Sequence, residues 1–313
     1  MTAESRLRFA ALPLSRHELD RDYLSRSRPE LFDELWKDPA ARVLVLRKGK
    51  ALLDGPASLA LLPTASAPRA QLLLYLGHSL AEDTVGAPMI AAVVDEAAAA
   101  ALSEDPDDWG DLRTLSTRLS DFHAGLFTAA LALANWHRSH RFNPATGAPT
   151  VPELGGWVLR SADGGEVFPR TDPAIIVGIV DAEDRILLGS NANWDSNRYS
   201  LLAGFVEPGE SLENAVKREV FEESGIRVKD PVYLGSQPWP FPASIMIGFT
   251  ATVDEEAESV LTPDGAEIMD LRWFSREELD AALTEIALPG HSSIARAILE
   301  HWYGGPIDDS VAW

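Results

Sequence analysis

The 313-residue sequence contains no cysteine, so no disulfide can form and no thiolate can hold zinc. Basic residues are scarce as well: 27 Lys and Arg stand against 48 Asp and Glu, a formal charge of −21. That balance excludes broad affinity for nucleic-acid backbone, which demands cationic surface, but leaves open a pocket for one nucleotide end. Long apolar runs are missing too. The longest, Ala124 to Ala134, is too short for a bilayer core of roughly 30 Å. The opening MTAESRLRFAALPLSRHELDRD turns charged too soon for a signal peptide. The expected location is the cytoplasm, with no membrane partner. What is present suits a folded protein: 46% hydrophobic residues, and length enough for two domains with a core each.

The chemistry concentrates in GFVEPGESLENAVKREVFEESGI, from Gly204 to Ile226. Gly204, Pro208 and Gly209 mark a loop, and Ser211 is placed to cap a helix. Nothing between Leu212 and Glu223 is Gly or Pro, so a helix is expected there, and Gly225 suits the left-handed position that ends one. At about 100° per residue, Leu212, Ala215, Val216 and Val220 share a face with Glu219, Glu222 and Glu223. Carboxylates at spacings of three and four approach one another and repel unless a cation lies between them. Hard oxygen ligands at that density suit Mg²⁺ or Mn²⁺. The plain alternative is a charged surface helix.

The whole pattern resembles the Nudix box: Gly204, Glu210, Arg218-Glu219-Val220, Glu222-Glu223 and Gly225-Ile226, with each defining position filled. The resemblance implies a hydrolase that uses divalent metal and water to cleave a nucleoside diphosphate linked to another group.

Upstream, Met1 to Ala134 carries no catalytic motif. Val43–Leu46 and Gln71–Leu76 read as buried strands with turn signals at Gly49 and Gly77, and Pro56–Pro68 as a loop. Ala97–Ala101 reads as helix, Glu104–Asp108 as a solvated acidic loop, and Asp121–His140 as a long helix docked on a core. His137 and His140 have helical spacing but no acidic or thiol neighbour, so a packed or solvated pair is expected. From Asn135 to Pro173 the chain is similar to the zinc ribbon of the NAD(H) pyrophosphatase branch of the Nudix family. Gly147-Ala-Pro-Thr150, Gly156-Trp157 and Phe168-Pro-Arg-Thr-Asp-Pro173 match. At the four ligand positions, however, stand Asn143, Thr146, Arg160 and Asp163. No zinc is therefore expected, and an Arg160–Asp163 ion pair is the expected prop.

Strands are expected at Ala174–Val180, Arg185–Gly189, Tyr199–Ala203, Val232–Leu234, Ile245–Val253 and Leu271–Phe274, with a loop at Trp194–Arg198. Helices follow at Arg276–Leu283 and Ser293–Trp302. In Ser236-Gln237-Pro238-Trp239-Pro240-Phe241-Pro242-Ala243-Ser244, three alternating prolines exclude helix and favour a stiff extended path that presents Trp239 and Phe241. On physics alone this is equally a rigid packing loop. The string SQPWPFP-x-S after a Nudix box is, however, the marker of the NAD(H) pyrophosphatase branch.

The resemblance implies an α/β chain: a C-terminal Nudix α/β/α sandwich with a mixed sheet (171–313), a small ribbon-like segment (135–170) and an α+β N-terminal domain (1–134). It implies metal ligation by the Ala203 carbonyl, Glu219, Glu222, Glu223 and Glu267, with catalysis by Glu219, Glu222, Glu223 and Arg218. The general base differs among members, and Glu223 is taken here. Arg218 is expected to grip Glu210 through both oxygens. Phe168, Phe205, Gln237, Pro238, Trp239, Pro240, Phe241, Pro242, Ala243, Ser244 and Ala295 match substrate-contact positions; for the two phenylalanines a plain core role is the alternative. The implied reaction turns NADH or NAD⁺ and water into AMP and NMNH or NMN, with the 5′ end of NAD-capped RNA as a second substrate. A homodimer is implied with it. Competing readings are an ADP-ribose pyrophosphatase, against which the SQPWPFP run argues, and a non-catalytic Nudix-like sensor, against which the complete glutamate set argues.

Overall fold

The computed structural model describes residues 12–195 and 197–308. The reading of residues 1–11, and of Ser196 within the expected loop, lies outside them. Contacts divide the described chain into two units. One comprises residues 12–15, 172–238 and 244–308; the other comprises residues 16–171 together with 239–243.

The first unit is built on Asp172–Val180, whose DPAIIVGIV alternates between two cores. Ile175, Val177 and Ile179 enter one with Ala215, Val216 and Val220 of the helix Leu212–Ser224. Ile176 enters the other with Ile294, Ile298 and Leu299 of the helix Ile294–Tyr303. Period-two alternation thus places a helix on each face of one sheet. The six-stranded sheet runs Val228–Trp239, Ser244–Val253, Asp172–Val180, Ile186–Asn191, Ile268–Phe274, with Leu202–Phe205 paired to Asp172–Val180 off that path. Asp172–Val180 runs parallel to Ser244–Val253 and antiparallel to Ile186–Asn191 and Leu202–Phe205, and Ile186–Asn191 runs antiparallel to Ile268–Phe274, so the sheet is mixed. The α/β/α sandwich expected from the sequence is the fold observed.

The second unit carries a seven-stranded sheet over a core that includes Leu31, Val43, Val45, Tyr75, Ile90 and Trp109. Asp121–Ser139 forms the long helix, with Ser120 capping it through the His123 N–H. Gly49 turns the chain, with φ 83°, as its position suggests. Gly77 does not: it lies inside the strand Leu72–Ser79 at a register shift, where its open Cα side abuts the Asp20 backbone. A side chain would collide there, which is the reason for the glycine. The Pro56–Pro68 loop also contains a short strand, Leu61–Pro63.

The ribbon segment forms a three-stranded sheet of Thr150–Glu153, Val158–Ser161 and Glu166–Val167. Its expected Arg160–Asp163 pair is not formed. Arg160 instead binds Glu153 and Glu166 across the sheet, at 2.6 Å each. Asp163 turns to Ser161, the Gly165 N–H and Thr146, which hold its carboxyl below the usual range. Buried Asn143 donates to Ser161 Oγ at 3.0 Å and accepts from the Ala145 N–H at 2.9 Å. Two of the four positions that would carry ligands, Asn143 and Asp163, are thereby joined through Ser161 in a hydrogen-bond knot, and Thr146 joins them through Asp163. His137 is buried and its Nε2 lies 2.8 Å from the Gly156 carbonyl, a packing role.

Candidate active site

The loop Phe205–Ser211 delivers the chain into the helix as the sequence dictates. Ser211 accepts the Asn214 N–H, and Gly225 ends the helix at φ 70°. Arg218 organises the loop. Its Nε and Nη2 donate to the two oxygens of Glu210 at 2.9 Å each, and Nη2 also reaches the Phe205 carbonyl at 2.9 Å. Its Nη1 approaches Glu219 at 2.8 Å and Glu222 at 2.9 Å. This concentration of acceptors raises the Arg218 pKa, Glu210 first and against the cost of burial; in return Arg218 lowers that of Glu210.

Glu219 lies against the backbone of Gly204, where a methyl group would overlap its carboxylate. Burial raises its pKa, opposed by Arg218 and reinforced by Glu222 and Glu267. Glu223 is the innermost acid, 6% exposed. Burial, then the charges of Glu219, Glu267 and Asp264, push its carboxyl up to about 8, against a hydrogen bond from the Ala203 backbone. Its Oε2 is buried with no hydrogen-bond partner. Ala203, Glu219, Glu223 and Glu267 are thus brought to one place.

Glu222 departs from the helical-wheel expectation. Its side chain is 57% exposed and turned to Arg218, because it lies about a quarter-turn from the centre of the apolar stripe. Asp264 is the acid the sequence reading missed. It accepts the N–H groups of Ala266, Glu267 and Ile268, shaping the turn that carries Glu267. Its position three residues ahead of Glu267 in Asp-Gly-Ala-Glu was the available signal, since Asp commonly closes such turns on its own backbone.

Phe205 and Phe168 are 59% and 61% exposed, so neither is a core side chain. Gln237 is fully buried: its Nε2 donates to the Ser292 carbonyl and its Oε1 accepts the Ile294 N–H, both at 2.8 Å. Its amide is therefore committed to ordering the start of the last helix. Ala295, one residue on, is buried in the core with Ile176 and Ile298. The aromatic segment is not the straight path expected. Val228–Trp239 is strand to its end, and Pro240–Ala243 then reverse the chain into Ser244–Val253, with Phe241–Pro242 cis. The Phe241 N–H closes back on the Trp239 carbonyl at 2.7 Å. Pro238 and Pro242 are exposed, Pro240 is buried, and Ala243 and Ser244 are half-buried.

This arrangement has relatives. Residues 169–297 match the NUDIX domain, and residues 40–136 match the NADH pyrophosphatase-like rudimentary NUDIX domain. The NAD-capped RNA hydrolase NudC of Mycobacterium bovis is 46% identical over 212 residues, covering 63% of this chain and 67% of its own length. The chain belongs to the Nudix hydrolase family. It falls in the NAD(H) pyrophosphatase branch and is a hydrolase of pyrophosphate bonds. The Nudix relative in Macaca fascicularis, NAD-capped RNA hydrolase NUDT12, is 35% identical over 59% of this chain and 43% of its own. A Nudix hydrolase structure from Nitrosomonas europaea aligns over 53% of this chain and 94% of its own at 21% identity, TM-score 0.43.

Nudix hydrolases generally use a divalent metal such as Mg²⁺ or Mn²⁺, and the residues of this Nudix site fit one. Every donor is a hard oxygen, and the buried Glu223 Oε2 lacks the partner that a buried polar atom ordinarily has. Among the described residues no three His, Asp or Glu side chains enclose a cation as they stand; Glu219 and Glu222 both lean on Arg218 instead. No helix among the described residues is long and apolar enough to cross a membrane.

Proposed function

We propose that the chain hydrolyses the pyrophosphate of NAD(H), releasing AMP and NMN or NMNH, and acts equally on the NAD cap at an RNA 5′ end. The observation that carries this reading is the coexistence of a complete acidic box with an intact SQPWPFP-x-S segment. The relatives named as NAD-capped RNA hydrolases support it.

Glu219, Glu223, Glu267 and the Ala203 carbonyl would hold the divalent ion, with Glu222 at the outer edge. Bound there, the ion would supply charge neutralisation at the pyrophosphate and a lowered pKa for water. Arg218 keeps the Phe205–Ser211 loop closed on the helix by gripping Glu210 and the Phe205 carbonyl. Glu223, the innermost of these acids, is taken as the general base. Beside the box, the exposed ring of Phe205 offers a face for a base to stack on. The working form proposed is a homodimer, in the cytoplasm.

An ADP-ribose pyrophosphatase would share the box without needing the aromatic segment. Product analysis with NADH, ADP-ribose and NAD-capped RNA side by side tests the proposal. AMP and NMNH from NADH at a higher kcat/KM than for ADP-ribose is the expected result. Equal or better use of ADP-ribose removes the NAD(H) assignment.

A further inference from the structure

Glu267 stands on a turn that is tied down on both sides. Ahead of it, the Thr262 N–H donates to the Ser224 carbonyl, at the end of the helix Leu212–Ser224, over 2.8 Å. A methyl group on Gly225 would lie 2.6 Å from the Val260 carbonyl oxygen, so this approach needs a glycine as much as the left-handed angle does. On the other side, the Glu267 carbonyl accepts the Ala192 N–H at 2.8 Å, just past the register shift at Ser190/Asn191. Between these ties the turn closes on the carboxylate of Asp264. Its Oδ1 accepts the N–H groups of Ala266 and Glu267 at 3.1 Å each and that of Ile268 at 2.8 Å. Its Oδ2 adds only a longer contact of 3.3 Å to the Glu267 N–H. The backbone contributes a bond from the Gly265 N–H to the Ile268 carbonyl at 3.1 Å.

Three consecutive N–H groups therefore converge on one side-chain oxygen, and Glu267 is the middle residue of the three. Asp264 is exposed, so the core does not need it. Its charge is felt by Glu223, which places it beside the acids, yet its oxygens are committed to the backbone. We propose that Asp264 is a positioning residue for the divalent ion: through the turn it holds the Glu267 carboxylate beside Glu219 and Glu223, without itself being a ligand. This rests on the reading of Glu267 as a metal ligand and deepens it. The role needs an acceptor at Oδ1 and not a charge. Asparagine keeps such an acceptor and closes turns of this kind on its own backbone, whereas alanine offers nothing.

The test compares D264A, D264N, E267Q and the double variant D264A/E267Q with the unaltered chain. Mn²⁺ binding is read without substrate, from the electron paramagnetic resonance signal of the free ion, and NADH hydrolysis is then followed across Mn²⁺ concentration. D264A should bind Mn²⁺ about tenfold more weakly and need about tenfold more for half-maximal rate. Its kcat at saturating Mn²⁺ should stay within about threefold of the parent. D264N should stay within about twofold on every measure. The double variant should bind Mn²⁺ no more weakly than E267Q, because a residue acting only through Glu267 has nothing to act on once that charge is gone. If D264N loses as much as D264A, the charge of Asp264 matters directly and the proposal falls. Additive losses in the double variant overturn it too, by showing a general structural role. Unchanged binding in D264A beside weakened binding in E267Q overturns the proposal and leaves Glu267 a ligand. Parental binding in E267Q removes Glu267 from the metal site, and the proposal with it.

Discussion

Arg218 grips Glu210 with two parallel hydrogen bonds, Nε to Oε1 and Nη2 to Oε2, both 2.9 Å long. The same guanidinium reaches the Phe205 carbonyl and the carboxylates of Glu219 and Glu222. A planar fork can serve these acceptors together, while an ammonium presents a single point of charge. R218K should therefore lower kcat/KM for NADH at least about tenfold while retaining the overall charge. Steady-state kinetics beside circular dichroism checks this. A lysine variant with parental kinetics would show that charge alone suffices.

Glu219→Gln should abolish turnover without unfolding the chain. The amide keeps the shape that fits against Gly204 but loses the charge that would hold a divalent ion, at a cost of about 10²-fold or more in kcat/KM. Burial already disfavours the ionised acid, so the metal-free variant should melt no lower than its parent. Melting with and without Mn²⁺, run beside NADH kinetics, tests both halves. A much lower metal-free Tm, or near-normal turnover, would make Glu219 a framework residue.

Glu223 predicts how stability varies with pH. Its folded carboxyl titrates near about 8, whereas an unfolded glutamate ionises near about 4.3. Between those values the unfolded chain has released its proton and the folded chain has not. Stability from this group is thus fully present below about pH 4.3 and is lost as pH rises through about 8, by at most about 1.4 kcal/mol per pH unit. Metal-free Tm should fall between pH 5 and 8.5, and E223Q should flatten that fall. A steeper decline in E223Q would reverse the assignment.

No stoichiometric zinc should be found by elemental analysis after dialysis. The hydrogen-bond knot carries the load instead. N143A removes the donor to Ser161 and the acceptor for the Ala145 N–H, at a cost of about 0.5–1.5 kcal/mol for each hydrogen bond lost. Thermal melting reads this directly. One tightly held zinc per chain would return His137 and His140 to consideration as ligands.

The box helix was legible to within a residue because its ends are written in local chemistry: Ser211 as cap and Gly225 at a left-handed backbone angle. The strand Asp172–Val180 was legible from its unbroken apolar run, and the sandwich from the order of elements around the box. Glu222 was misplaced because a wheel places residues by angle and says nothing about where a neighbouring arginine draws a side chain. Gly77 was misread because a glycine marks either a turn or a close backbone approach, and only the nearby Asp20 carbonyl, 57 residues earlier in the chain, decides which. The replacement for zinc was illegible for a similar reason. Ser161 lies between two of the former ligand positions and has no role in a metal site, so nothing in the spacing marks it as the hub.

The strand Asp172–Val180 lies between the two segments that matter most. Ala174 stands opposite Phe205 on one side and Met246 on the other, while Asp172 stands opposite Ser244, the last residue of the aromatic segment. Two neighbouring ladder steps of about 4.8 Å each therefore set the lateral offset between the acidic loop and the end of that segment. Such a gauge is made of backbone and is indifferent to which apolar side chains fill the layers above and below it. Sequence drift in the two cores can retune how firmly the gauge is held without rescaling it. A change in that offset would need a residue inserted into one strand, an event that flips every side chain beyond it to the opposite face.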